Sequence, residues 1–146
     1  MTEAADGAAV PAPPIVIDNN VVLDLLVFAD PATALLKEQL AAGRWRWIAT
    51  RSMRDELAAV LQYPHMQRVM AGRGVAPEQV LAAVDAGVQW QAPAPKAVVT
   101  CKDKDDQKFI DLAVQNGALL LSKDKAVLCM LKRLLALGVV AQPAIK

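Results

Sequence analysis

The sequence predicts an α/β fold built on a mainly parallel sheet. Short β-leaning apolar runs alternate with helix-like segments along most of the chain, which implies right-handed crossovers between parallel strands. Several of these runs stop abruptly at polar residues, as Ile15-Val16-Ile17 does at Asp18-Asn19-Asn20 and Ala118-Leu119-Leu120-Leu121 does at Ser122-Lys123-Asp124. At 146 residues with 55% hydrophobic content, the chain is long enough for one domain with a substantial core and too short for two ordinary ones.

The first fourteen residues, MTEAADGAAVPAPP, are Ala/Pro-rich and acidic, without the basic start and apolar run of a secretory signal. They read as a flexible arm (1–14) ahead of a single domain (15–146). No later stretch is apolar and uncharged over some 18 residues, because Lys132 and Arg133 interrupt the richest one, so no membrane span is expected. Cys101 and Cys129 lie far apart without metal-type spacing and read as two free thiols in a reducing, cytoplasmic setting. A net charge of +1 gives no general polyanion signal, so any nucleic-acid role rests on local charge.

Taken in order, Ile15-Val16-Ile17 is a strand buried on both faces, followed by an apolar helix to Phe28. Asp30-Pro31 starts a second helix that ends near Gly43. Trp45 to Ala49 alternates, with both tryptophans on one face and Arg46 on the other, as in a strand near the edge of a sheet. Trp45 and Trp47 read first as packing under a helix, with base stacking as the alternative. Thr50 or Ser52 caps the next helix, whose buried stripe is Met53, Leu57, Val60 and Leu61, and Glu56 lies on the border of that stripe. A short helix runs to Gly74, and another begins at Pro77. His65, the one histidine, reads as a surface residue. Ala97-Val98-Val99-Thr100 is expected to be a third strand. The acid- and lysine-rich run after it opens a helix with Phe109, Ile110, Leu112 and Ala113 inward; Asp105 is assigned to capping, and Asp106 to the core side. The strand at 118–121 then leads through Asp124 into a final apolar helix.

The carboxyl ends of parallel strands share one edge, where open α/β sheets bind ligands. Asp18, Asp106 and Asp124 each follow an expected strand, and Glu56 falls in the first two turns after another, so four acids converge. Two unit charges about 5 Å apart repel by roughly 3 kcal/mol at an effective dielectric near 20, so such a cluster needs protons or a cation. Oxygen-only ligands favour Mg²⁺ or Mn²⁺.

With Asp18-Asn19-Asn20, Glu56, Asp106 in DDQKFIDLA and Asp124 in LLLSKDK in this order, the chain resembles the PIN-domain ribonucleases, especially the toxin components of bacterial toxin-antitoxin systems. The resemblance runs from about Ile15 to Pro143. It departs at Asn19, where the family usually has Thr or Ser. It implies a three-layer α/β/α sandwich and divalent-metal-dependent hydrolysis of phosphodiester bonds in RNA. Asp18, Glu56, Asp106 and Asp124 would be the acidic metal ligands, and Asn20 the polar residue that orders the pocket. It further implies a homodimer and a small antitoxin protein as partner, and the mean hydropathy of +0.28 leaves apolar surface to bury. Arg51, Arg54, Lys102, Lys104 and Lys123 are candidates for RNA-phosphate contacts, against the alternative of a solvated basic face. The competing function is a non-catalytic PIN-like module that binds RNA or protein. A phospho-acceptor receiver domain also places acids at strand ends, but the expected third strand ends in Thr100-Cys101 rather than in a phosphorylatable Asp.

Overall fold

The computed structural model describes residues 11–145. The first ten residues of the Ala/Pro-rich arm lie outside the described residues, as does Lys146. In chain order the strands are β1 (Pro14–Ile17), β2 (Arg46–Ala49), β3 (Val88–Trp90), β4 (Leu119–Leu121) and β5 (Ala141–Gln142). The helices are α1 (Asn19–Leu26), α2 (Ala34–Ala41) entered through a 3₁₀ turn at Pro31–Thr33, α3 (Arg51–Leu61), α4 (Pro64–Arg73), α5 (Pro77–Gly87), α6 (Lys104–Asn116), α7 (Lys125–Leu128) and α8 (Leu131–Ala136). Among the described residues no single helix is long and apolar enough to cross a membrane.

All strand pairs are parallel, in the order β3-β2-β1-β4-β5. Right-handed crossovers therefore place the helices before β3 on one face and those after it on the other, giving the expected α/β/α sandwich. The order reverses at β1, so the crevice between the carboxyl ends of β1 and β4 is the switch point at which such sheets bind ligands. Ile17 pairs with Leu121, Ile15 with Trp47, and Ala49 with Trp90, so the last residues of four strands form one row. That row fixes which residues emerge together at the edge above it.

The core is continuous across the sheet. Ile15, Val16 and Ile48 from the strands meet Leu57 and Leu61 of α3 and Phe109, Ile110 and Leu112 of α6, all buried. The stripe read from α3 holds at Met53, Leu57 and Leu61, while Val60 is only half-buried. Thr50 is the cap, its hydroxyl accepting from Met53 N at 3.4 Å. Trp47 is buried beside Gly87, where an added Cβ would stand 3.2 Å from the indole. Helix α5 packs closely there because residue 87 has no side chain. Trp45 is half-buried and donates to Gln39 Oε1 at 2.7 Å.

One expectation about strands is corrected, and two strands were not expected. Ala97 to Thr100 is an irregular loop, with Val98 85% exposed. Its backbone is claimed by side chains of α6: Ala97 N donates to Asp111 Oδ1 at 2.9 Å, Cys101 N to Gln107 Oε1 at 2.6 Å, and Gln107 Nε2 to Val99 O at 3.0 Å. Gln107 Nε2 also donates to Asp111 Oδ1 at 2.8 Å, which ties the two clamping side chains together. The third strand is instead Val88–Trp90, at the sheet edge and joined directly to α5, and β5 closes the opposite edge. Neither three nor two residues can display a period of two, which is why these strands were not legible.

The side-chain clamp should be worth measuring in the stability of the fold. Gln107→Leu strands the Cys101 N–H and leaves the Val99 carbonyl only the exposed Lys96 Nζ at 3.3 Å, which should lower the unfolding free energy by about 1–3 kcal/mol in urea titration. A midpoint equal to wild type would show that the loop does not depend on Gln107.

Candidate metal centre

The site begins with the residue after β1. Asp18 N donates to Leu121 O at 2.8 Å, continuing the parallel ladder one step past the strand and seating the carboxylate against β4. Its Oδ2 accepts from the hydroxyl of Ser122 at 2.7 Å, and both residues are buried. Ser122 Oγ in turn accepts from Asp124 N at 3.1 Å. Asp124 caps α7, Oδ1 accepting from Ala126 N at 2.9 Å, so one oxygen is fixed and the other remains for the site. Asp124 is therefore a helix cap, and it also stands close to the acids of α6.

Helix α6 brings the remaining acids. Its cap is Asp103, which accepts from Asp105 N at 2.9 Å; Asp105, assigned to capping from the sequence, is an exposed first-turn residue instead. Asp106 stands three residues after the cap, on the same side of the first turn, and is buried. Carboxylate oxygens of Asp103, Asp106 and Asp124 all lie within 4.8 Å of one another. Asp103 and Ser122 are the site residues that sequence reasoning missed. The i, i+3 spacing of Asp103 and Asp106 was a signal that could have revealed the first.

Electrostatics tie Asp18 to this trio. Burial, a hydrogen-bonding carboxyl at Asp124, and the charges of Asp18, Asp124 and Asp103 push the Asp106 carboxyl up to about 8. Burial also raises Asp18, against the opposing bond from Ser122. Asp106 Oδ2 is buried without a hydrogen-bond partner. Two facing carboxyls can bond only when one holds a proton, so the orphaned oxygen and the raised pKa describe the same deficit of positive charge. A divalent cation fits that deficit: the donors are all hard carboxylate oxygens, close enough to share one ion.

Glu56 lies outside the trio. Its Oε1 accepts from Asn19 Nδ2 at 3.3 Å and pairs with Lys108 Nζ at 3.0 Å, so it is held by the helices that follow Asp18 and carry Asp106. Asn19, the departure from the family pattern, also donates to Met53 O at 3.2 Å and thereby joins α1 to α3. Asn20 Oδ1 accepts from Lys123 N at 3.3 Å and steadies the turn between Ser122 and Asp124. The basic candidates divide. Lys102 and Lys104 are exposed next to Asp103. Lys123 pairs with the buried Asp24, Arg54 holds Asp85 through two bonds of 2.7 and 2.9 Å, and Arg51 lies over the Trp90 ring.

The raised Asp106 pKa has a sign that can be tested. The folded protein keeps a proton that the unfolded chain, with an aspartate pKa of about 3.9, has released. That contribution is complete below the unfolded value and is lost as pH rises through about 8. In EDTA the thermal midpoint should therefore fall between about pH 6 and about pH 8, and Asp106→Asn should flatten the slope. Mn²⁺ should raise the midpoint, and more so at the higher pH because binding displaces the proton; a hundredfold excess over Kd adds about 2.7 kcal/mol. Equal slopes in wild type and Asp106→Asn, or no shift with Mn²⁺, would refute this account of the centre.

A family model described as PIN domain matches residues 14–126, which takes in β1 through the start of α7 and every acid of the centre. No curated protein matches the sequence. The family model spans most of the chain, the all-parallel five-stranded sandwich agrees with it, and its switch point carries the acidic cluster. The chain is a member of the PIN-domain family.

Proposed function

We propose that the protein is a divalent-metal-dependent endoribonuclease, using Mg²⁺ or Mn²⁺, and that it serves as the toxin of a toxin-antitoxin pair with a small antitoxin protein as its partner. The observation that carries the nuclease reading is the buried, partnerless Oδ2 of Asp106 within an all-carboxylate cluster at the sheet's switch point. The toxin role rests on the resemblance of the motifs alone.

Asp106, Asp124 and Asp103 would hold the cation, with Asp18 beside them supplying further negative charge. When bound, the cation acidifies water and offsets charge developing on the phosphoryl oxygens. Ser122 holds Asp18 in a single orientation, and the Ala126 N–H does the same for Asp124, so neither carboxylate must reorganise during reaction. Asp106 gives up its proton on loading of the site. Glu56, with Oε1 fixed by Asn19 and Lys108, presents Oε2 to orient the attacking water. Lys102 and Lys104 are exposed at the entrance of α6 and suit phosphate contact. Arg54 is already neutralised by Asp85, so its removal should act mainly on the packing of α3 against α5.

Removal of any acid that works as part of one constellation should abolish most activity, and double removal should add little. Asp18→Asn and Asp106→Asn should each nearly eliminate Mn²⁺-dependent cleavage of a mixed single-stranded RNA, with the double variant scarcely worse. Induced wild-type protein should slow the growth of a bacterial host, and Asp18→Asn should relieve it. Cleavage that survives EDTA, or that Asp18→Asn leaves intact, would return the chain to a binding-module role.

Homodimerisation is part of the same proposal. Leu131, Leu135 and Val140 are exposed large hydrophobics beside a cleft of about 280 Å³ at the β5 edge, and apolar surface of this kind is commonly covered in symmetric dimers. Light scattering should return a dimer mass, and Leu135→Glu should lower it; a monomer mass for wild type at tens of micromolar would exclude this assembly.

A further inference from the structure

The sequence holds three tryptophans, and only one emerges at the edge that carries the acids. Trp47 is buried, and Trp45 lies before the first residue of β2, at the opposite edge. Trp90 is the last residue of β3 and shares a row with Ala49 and Ile17, two strands from the residue that precedes Asp18. At about 4.8 Å per strand that separation is roughly 10 Å. Trp90 is half-buried and packs against the core.

The exposed Arg51, first residue of α3, lays its guanidinium over this ring with Cζ 4.0 Å from the centroid. The neighbouring Asp85 is already held through both oxygens by Arg54, so Arg51 is not drawn off into an ion pair with it. A planar cation stacked on an indole presents a flat, positively charged surface, and unpaired bases stack on both indole and guanidinium planes.

We propose that Arg51 and Trp90 form a stacking platform for one unpaired base of a single-stranded RNA whose backbone crosses the acidic centre. This rests on the nuclease reading for the identity of the ligand and adds to it a specificity-determining subsite. Single-stranded RNA is the substrate class it selects, since a base within a duplex offers no free face. The base-stacking role considered for Trp45 and Trp47 thus passes to Trp90.

The test uses the full chain carrying Asp18→Asn, so that cleavage does not intervene, and a short single-stranded RNA in which one abasic nucleotide is moved along the strand. One abasic position should weaken binding roughly tenfold. Trp90→Leu, which keeps an apolar side chain, and Arg51→Lys, which keeps the charge but loses the plane, should each weaken binding of the intact RNA by a similar factor. Each should also erase the penalty at that abasic position, which a purely structural loss would not do. Should Trp90→Leu melt early, the surface substitution Arg51→Lys carries the comparison alone. Equal binding of all abasic RNAs, a penalty that persists in Arg51→Lys, or no RNA binding overturns the platform. The nuclease reading fails separately: the abasic pattern without Mn²⁺-dependent cleavage by wild type keeps the platform and removes the nuclease, whereas cleavage without the pattern does the reverse.

Discussion

Mutual repulsion among carboxylates that the backbone forces together is the constraint on which the rest of this structure depends. Each of the three central acids is fixed by something other than its neighbours. Asp103 is committed as the cap of α6, Asp124 as the cap of α7, and Asp106 is carried inward by the helix that Asp103 starts. Neither capping acid can turn away without undoing a helix terminus, and Asp106 is buried between them and the core. The fold therefore stores an unfavourable charge arrangement, relieved by a proton or a cation, and compensates with a core that extends across the whole sheet.

The same logic extends outward from the centre. Ser122, Asn19, Asn20 and Lys108 each take up one valence of a site residue or of the turn beside it. Gln107 and Asp111 do so for the loop that delivers Asp103. These side chains are thus a set of fixed hydrogen bonds, while Lys102 and Lys104 stay exposed beside Asp103. Positions that resembled an open basic surface, Arg54 and Lys123, are in fact paired with acids of the chain itself. Preorganisation of this kind is what electrostatic catalysis requires, because dipoles already in place cost nothing to orient during reaction.

What could be read from the sequence was whatever repeats locally. Asp18 and Asp124 stood out because each opens a helix after an apolar strand, and Asp106 because it lies on the core side of a helix that follows a stretch resembling one. Asp103 was lost in a run of alternating charge, although its spacing from Asp106 marks one helical turn. The Val98-Val99 pair looked like a strand because both residues are β-branched, yet strand formation is decided by partners, and here the backbone partners are Gln107 and Asp111. Trp90 was passed over because a three-residue edge strand fused to a helix has no pattern of its own. Ser122 could not be found by any local rule, since its bond to Asp18 joins residues 104 positions apart.

That long-range bond has a consequence for biosynthesis. The centre unites the first strand of the chain with a turn that precedes only its last short helices and edge strand. A nascent chain lacking the segment from Leu119 to Asp124 has Asp18 without its hydroxyl partner and Asp106 without the carboxyl beside it. Loop closure over this distance costs more entropy than the more local pairing of β1 with β2. The acidic centre is therefore incomplete until that segment has been made, and a product truncated before Leu119 lacks Ser122 and Asp124.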